Sequence, residues 1–260
     1  MPESDYRQNR EFLKDSLRKR TDFSKTDQNR GIPAPPVQKP FDPEAPRVRL
    51  STYKEWKSII SNVSLDQIIA GRKSRRAYTA DPLLLEELSF LLWATQGIRK
   101  KAGPSSSFRN VPSAGARHSF ETYILVQNVT GLNPGLYRFL PISNELLYIM
   151  AVPQADLALS DAAFFQKFVG SGAVTFIWSC LPYRMEWRYG PTAYRVILMD
   201  IGHVCQNLYL ACQAVGAGTC AVAAYDQEAM DDLLGLDGVD EFVIYLAPVG
   251  KALVHEQEVL

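Results

Sequence analysis

Cysteine is scarce in this chain and never closely paired. Cys180, Cys205, Cys212 and Cys220 form no Cys-x-x-Cys, and only three histidines are available to help them. The common zinc patterns are therefore excluded, and no metal site is expected. So few cysteines fit a reducing compartment, and the cytoplasm is the expected location. Neither sign of charge is in excess: 28 Lys plus Arg face 28 Asp plus Glu. Neither a nucleic-acid partner nor an acidic solvating tail is expected. No stretch reaches the roughly 20 apolar residues of a membrane span. The opening MPESDYRQNR lacks the apolar core of a signal peptide, so no membrane partner is expected. A Walker loop and Gly-x-Ser-x-Gly are both missing, which argues against an ATPase and a serine hydrolase. The GAG at 216–218 closes a predicted helix and precedes a strand. A dinucleotide loop needs the opposite context, so a doubly wound dehydrogenase is not supported.

What is present falls into two parts. Residues 1–50 are polar and then proline-rich, with GIPAPPVQKPFDPEAP at 31–46. Such a segment cannot build a core of its own. It is either a disordered tail or an extended arm. Phe23, Ile32 and Phe41 are spaced like anchors for an arm, and Phe12, Leu13 and Leu17 hint at one short helix. Residues 51–260 read as the globular domain.

Ser64 predicts an N-cap for a helix ending near Gly71. Asp81-Pro82 predicts a helix that stops at Gly97. Residues 98–119 read as a long loop. Strands are predicted at 121–128, 135–140, 145–150, 173–181, 219–224 and 241–248. Two short helices fit 153–168, and another fits 226–234. A long helix from about 191 to 215 is apolar nearly all round, the mark of a buried helix. Burying it on every side is hard within one chain, so a dimer is expected. Asp200, His203 and Asn207 form a polar stripe on that helix. Such a stripe either faces a ligand or satisfies buried packing, and the packing reading is favoured.

Two stretches carry chemistry. GRKSRRAY at 71–78 packs four cations and a serine between apolar segments. Arg offers phosphate a bidentate fork, Lys a point charge and Ser another donor. This reads as a phosphate site, against the plainer reading of a solvated basic surface. RNVPSAGARHSFETYILV at 109–126 sets a tight turn, Pro112-Ser113-Ala114-Gly115, before a strand. Small residues let a backbone come close to something. The turn is mere punctuation, or a flat or phosphorylated ligand lies against it.

The ordered set of SRR, LLWATQG, PSAGARHSFETY, GLYRF, DIGHVCQNLYLACQAVGAGTC and PVGK resembles the nitroreductase family of FMN flavoproteins. It looks most like the SagB/ThcOx-type dehydrogenase branch, over about 64–251. The resemblance implies an α+β fold: a central, mostly antiparallel sheet packed by helices, in a segment-exchanged homodimer. It implies FMN as cofactor, with Arg72, Lys73, Ser74 and Arg76 near the phosphate and Lys251 a weaker candidate. Pro112, Ser113, Ala114 and Gly115 would lie against the flavin, commonly that of the other subunit. Gly218, Cys220, Ala221 and Val222 would run along the isoalloxazine, with a backbone N–H toward N5 and O4. The implied reaction passes electrons from a nicotinamide-type reductant, NADH or NADPH, to a small planar acceptor on the same flavin face.

One departure bears on the branch. Its azoline-oxidising members carry Lys-Tyr before the long helix, where this chain has Arg188-Tyr189. Tyr189 can act as an acid or base, whereas Arg188 can serve only as an electrostatic partner. Three readings stay open: nitroreductase-like electron transfer, oxidation of a peptide azoline or related ring, and a non-catalytic flavin-binding or scaffold protein that uses the proline-rich arm.

Overall fold

The computed structural model of the chain describes residues 3–101 and 106–253. Residues 102–105 of the predicted long loop and the end of the chain lie outside the described residues. Seven strands form the main sheet: β1 (Arg47–Arg49), β2 (Phe120–Val126), β3 (Gly135–Leu140), β4 (Glu145–Met150), β5 (Val174–Cys180), β6 (Ala217–Thr219) and β7 (Phe242–Lys251). Their order is β1-β4-β3-β2-β5-β7-β6, and every neighbouring pair is antiparallel.

The two-residue period of the strands divides the core in two. Along β2, Tyr123 and Leu125 enter one cluster, while Ile124 and Val126 enter the other. Six helices pack around this sheet: α1 (Leu65–Gly71), α2 (Leu85–Gln96), α3 (Ala155–Ala162), α4 (Tyr183–Tyr189), α5 (Ala193–Ala214) and α6 (Gln227–Leu234). The larger cluster joins Phe176 and Trp178 of the sheet to Leu88 and Leu91 of α2 and Val204 and Leu208 of α5. The smaller one holds Leu159 of α3 and Met230 and Leu234 of α6. This is the expected α+β architecture.

Several local expectations shift. The helix predicted from Asp81-Pro82 begins at Leu85, because Leu83–Leu84 pairs in parallel with Val129–Thr130. The Glu87 carboxylate accepts the Leu84 N–H at 2.9 Å and fixes that start. The predicted loop 98–119 contains a hairpin, Ile98–Lys101 with Ser107–Arg109. The segment 183–189 is helical. The long helix is buried on one side only. Tyr194, Leu198 and Met199 on its outer face are each about half exposed.

Residues 21–50 lie along the body. Arg109 and Arg138 donate to the carbonyls of Val37, Lys39 and Pro40. The Glu121 carboxylate accepts the Lys39 N–H at 2.7 Å, and Lys39 Nζ pairs with the buried Glu241. Prolines lack N–H groups, so a proline-rich strip bonds chiefly through its carbonyls, and guanidiniums supply the donors. The deepest arm residues are Thr26, Val37 and Leu50. The expected anchors Phe23, Ile32 and Phe41 are only half-buried.

Candidate functional site

The basic run leaves the end of α1 and crosses the edge of the sheet. Ser74 bridges to Thr219 of β6, and the Arg75 N–H donates to the Thr219 carbonyl at 2.9 Å. This contact brings Arg72, Lys73, Ser74 and Arg76 beside Gly218, Cys220, Ala221 and Val222, two stretches almost 150 residues apart in sequence. Arg72 lies over the Tyr209 ring at 5.5 Å, and Arg76 lies over Phe168 at the same distance. Neither has a carboxylate partner among the described residues. A cation over an aromatic face keeps its N–H donors for another acceptor.

Tyr209 is a site residue that sequence reasoning missed. Its hydroxyl meets Ser74 Oγ at 3.1 Å and accepts the Ala221 N–H at 2.8 Å. It thus ties the basic run to the loop after β6. The signal was hidden because Tyr209 reads as one more apolar residue of α5. The loop's own N–H groups are partly spent, since the Val222 N–H also donates, to Leu246, at 2.8 Å. The amides of Ala221 and Val222 are therefore held within the chain, which narrows the expectation of a flavin contact from this loop. Gly218 is small for a different reason. A Cβ there would stand 2.6 Å from Arg75 Cδ, so the glycine admits the arginine stem. Lys251 is also engaged, pairing with Glu87 and donating to the Val215 carbonyl at 3.0 Å.

The second group forms around the turn at 112–115. Gly115, Ala116 and His118 adopt φ of 58°, 52° and 48°. Three left-handed residues in four positions are unusual, and such strain concentrates at functional sites. The turn is held from both sides. The Ala114 N–H donates to the Asp200 carboxylate at 3.1 Å, and the His118 N–H donates to Ser113 Oγ at 2.9 Å. Burial raises the Asp200 pKa, partly offset by its bonds from Ser113 and Ala114. Burial, with Arg109 nearby, lowers the His118 pKa to about 3, so its imidazole is neutral at physiological pH.

Arg188 and Tyr189 meet this same turn. A Cβ on Gly115 would lie 2.6 Å from Arg188 Cδ and 2.9 Å from the Tyr189 hydroxyl. Within one chain, the bare backbone is thus covered by the two side chains singled out before the long helix. A cleft of about 560 Å³ opens on the turn's other flank, between Arg99, Asn110, Pro112, Ser113 and His118.

The polar stripe divides by residue. Asp200 holds the turn, Asn207 donates to the Ala94 carbonyl at 2.9 Å, and His203 is exposed. Asp200 and Asn207 are satisfied from other elements rather than by each other. Asp200 and Tyr209 mark the two groups on α5. Nine residues separate them, which is about 14 Å of rise and a half-turn of azimuth. The two groups therefore sit on opposite faces of one helix.

Among the described residues, no cluster of His, Cys, Asp and Glu could hold a metal ion. No helix there is long and apolar enough to cross a membrane. The nitroreductase family model matches residues 69–251. A Methanocaldococcus jannaschii protein named as a candidate nitroreductase is 31% identical over 194 residues, 75% of this chain and 94% of its own. The trifolitoxin-processing protein TfxB of Rhizobium leguminosarum is 30% identical over 152 residues; the match covers 57% of this chain but only 39% of TfxB. A Ralstonia eutropha structure, also named as a candidate nitroreductase, superimposes with a TM-score of 0.66 at 24% identity, covering 86% of this chain and all of that one. The family model spans well over half of the chain, including six of the seven strands of the main sheet, and the chain belongs to the nitroreductase family.

Proposed function

We propose that this chain is an FMN-dependent oxidoreductase that works as a homodimer, passing electrons from a nicotinamide-type donor to a small planar acceptor. Family membership carries the class, since nitroreductases are typically dimeric flavin oxidoreductases. The observation that supports FMN here is the donor set at the sheet edge. Arg72 and Arg76, without carboxylate partners among the described residues, and the Ser74 hydroxyl belong to one short run beside β6. That set fits a phosphate dianion. Arg72, Ser74 and Arg76 would hold the phosphate, with Lys73 adjoining. Lys251, neutralised by Glu87, would act only by keeping β7 and α2 together.

When bound, FMN supplies the two-electron chemistry. The chain supplies position, water exclusion and a proton-handling group. Tyr189, whose hydroxyl lies beside Gly115, would hold or release a proton. The turn at Pro112–Gly115 and the loop of Gly218, Cys220, Ala221 and Val222 would form the two walls. On one chain these walls stand on opposite faces of α5. A second copy brings one wall to the other, which is the reason for proposing a dimer built on α5.

The SagB/ThcOx-type branch is a second reading. The partial match to a trifolitoxin-processing protein favours it, and Arg188 in place of lysine weighs against azoline oxidation. Exchanging Arg188 for Lys and Tyr189 for Phe separates the two. Loss of azoline oxidation with the tyrosine exchange alone supports proton handling by Tyr189.

The deciding experiment is an absorbance spectrum of the purified protein, with the released chromophore identified by mass. Flavin bands with the mass of FMN, near one per chain, are expected. A colourless protein that takes up no added FMN overturns the reading.

A further inference from the structure

Arg188 differs from the arginine one helical turn before it. Arg184 is buried and pairs with the buried Glu121. Arg188 is half-buried, with its stem packed against Gly115. It has no carboxylate partner among the described residues. Among the described residues its one hydrogen-bond partner is the neutral Gln28 side chain, whose Oε1 accepts at 3.1 Å, and its guanidinium lies 5.6 Å from the Tyr189 ring centre. A partly desolvated guanidinium with five donors and one neutral acceptor is poorly satisfied.

The surroundings add positive charge. Burial, together with the neighbouring Arg184 and Arg188 guanidiniums, lowers the Arg117 pKa. Arg18 and Arg195 share a single acidic group, Asp15. Between the arm and the end of α4 lies a cleft of about 340 Å³, lined by Arg18, Phe23, Gln28, Asn29, Arg188 and Tyr189. Two rings and two amides form its walls, and two guanidiniums face it.

We propose that this cleft is a carboxylate-binding subsite that selects planar anionic substrates, with Arg188 as the ligand to the anion and Gln28 as its positioning residue. The proposal rests on the flavin-site reading for its role in turnover. A carboxylate matches the planar fork of arginine in a bidentate pair. The aromatic walls suit a flat body beside it. The arm thus contributes to specificity: Gln28 belongs to it, and its backbone is fixed on α4 by the 2.9 Å bond from the Gln28 N–H to the Trp187 carbonyl.

The test compares 4-nitrobenzoate with 4-nitrobenzyl alcohol, the same ring without the charge, by titration calorimetry on the protein as purified. The carboxylate is expected to bind about tenfold more tightly or better. Arg188→Gln is expected to bring the preference below about twofold, and Gln28→Ala to give an intermediate preference. Arg188→Lys keeps the charge without the fork, and should weaken the preference and make it more sensitive to salt. It serves if the glutamine variant fails to fold. Equal affinities in the native protein, or an undiminished preference in the Arg188 variants, overturn the proposal. So does a preference that disappears in Arg76→Gln instead, which would place the anion in the phosphate group. A colourless protein with the preference intact rejects the flavin reading and keeps the subsite; a flavin-loaded protein without the preference does the reverse.

Discussion

Gly115 couples two parts of the site through one missing atom. Its φ of 58° favours glycine, and the space a Cβ would take is filled by Arg188 and Tyr189. Gly115→Ala is expected to lower stability by about 1–3 kcal/mol, from the left-handed conformation and the 2.6 Å clash together. Urea denaturation measures this, and native-like stability would show that the close packing is absent in solution. His118 argues a pH dependence. Its folded pKa, about 3, lies well below the ordinary histidine value of 6.5. The unfolded chain binds the proton first as pH falls. Stability from neutral His118 is therefore full above pH 6.5 and is lost progressively toward pH 3. The loss is on the order of a few kcal/mol. A melting series from pH 7.5 to 4 should show the decline, and His118→Gln should flatten it. An unchanged slope would mean that His118 is not buried neutral.

At the scale of elements, the question is what holds stretches far apart in sequence together. Tyr209 does this for the basic run and the loop after β6, through one hydroxyl. Tyr209→Phe removes the acceptor of the Ala221 N–H and the contact with Ser74. A loss of about 1 kcal/mol in stability is expected, with severalfold weaker FMN binding, read by fluorescence titration of the apoprotein. Arg76→Gln should weaken FMN by about tenfold or more with little loss of stability, since Arg76 makes no ion pair with a described residue. Equal weakening of stability in both variants would reduce the cluster to a structural role. The arm behaves as another element. Lys39 covers two buried carboxylates, Glu121 through its N–H and Glu241 through its ammonium group. Lys39→Met leaves Glu241 without that cation and should destabilise the fold by about 1–3 kcal/mol. A neutral result would mean that the arm rests on the body without supporting it.

For the whole molecule, α5 decides. Its inner side is core, and its outer face exposes Tyr194, Leu198 and Met199. The proposed dimer would cover that face. Leu198→Glu should shift the protein toward monomer in sedimentation velocity and reduce bound FMN, because a split site loses one wall. A dimer that survives the exchange would move the interface elsewhere.

Much of this was legible in the chain itself. The strands β2 and β5, the start of α1 at Ser64 and the length of α5 follow from local composition, periodicity and turn chemistry, which depend on near neighbours in sequence. The basic run and the small-residue turn were visible for the same reason: each is a compact composition with its own chemistry. Pairing was not visible. Nothing local says that Ser74 will meet Thr219, that Asp200 will hold Ala114, or that Arg188 will fill the space beside Gly115. Those contacts arise when sheet order and the path of α5 bring distant segments together. For the same reason the docking of the arm by the carbonyls of Val37, Lys39 and Pro40 onto buried guanidiniums is not visible in the sequence. Sequence alone determined where most elements lie and the chemistry on offer, because both are written in short-range patterns, while the class of fold was implied by the resemblance of its ordered motifs. Which groups share a site, and which face of α5 is left for a second chain, only the tertiary structure decided, because packing sets distances that sequence spacing does not.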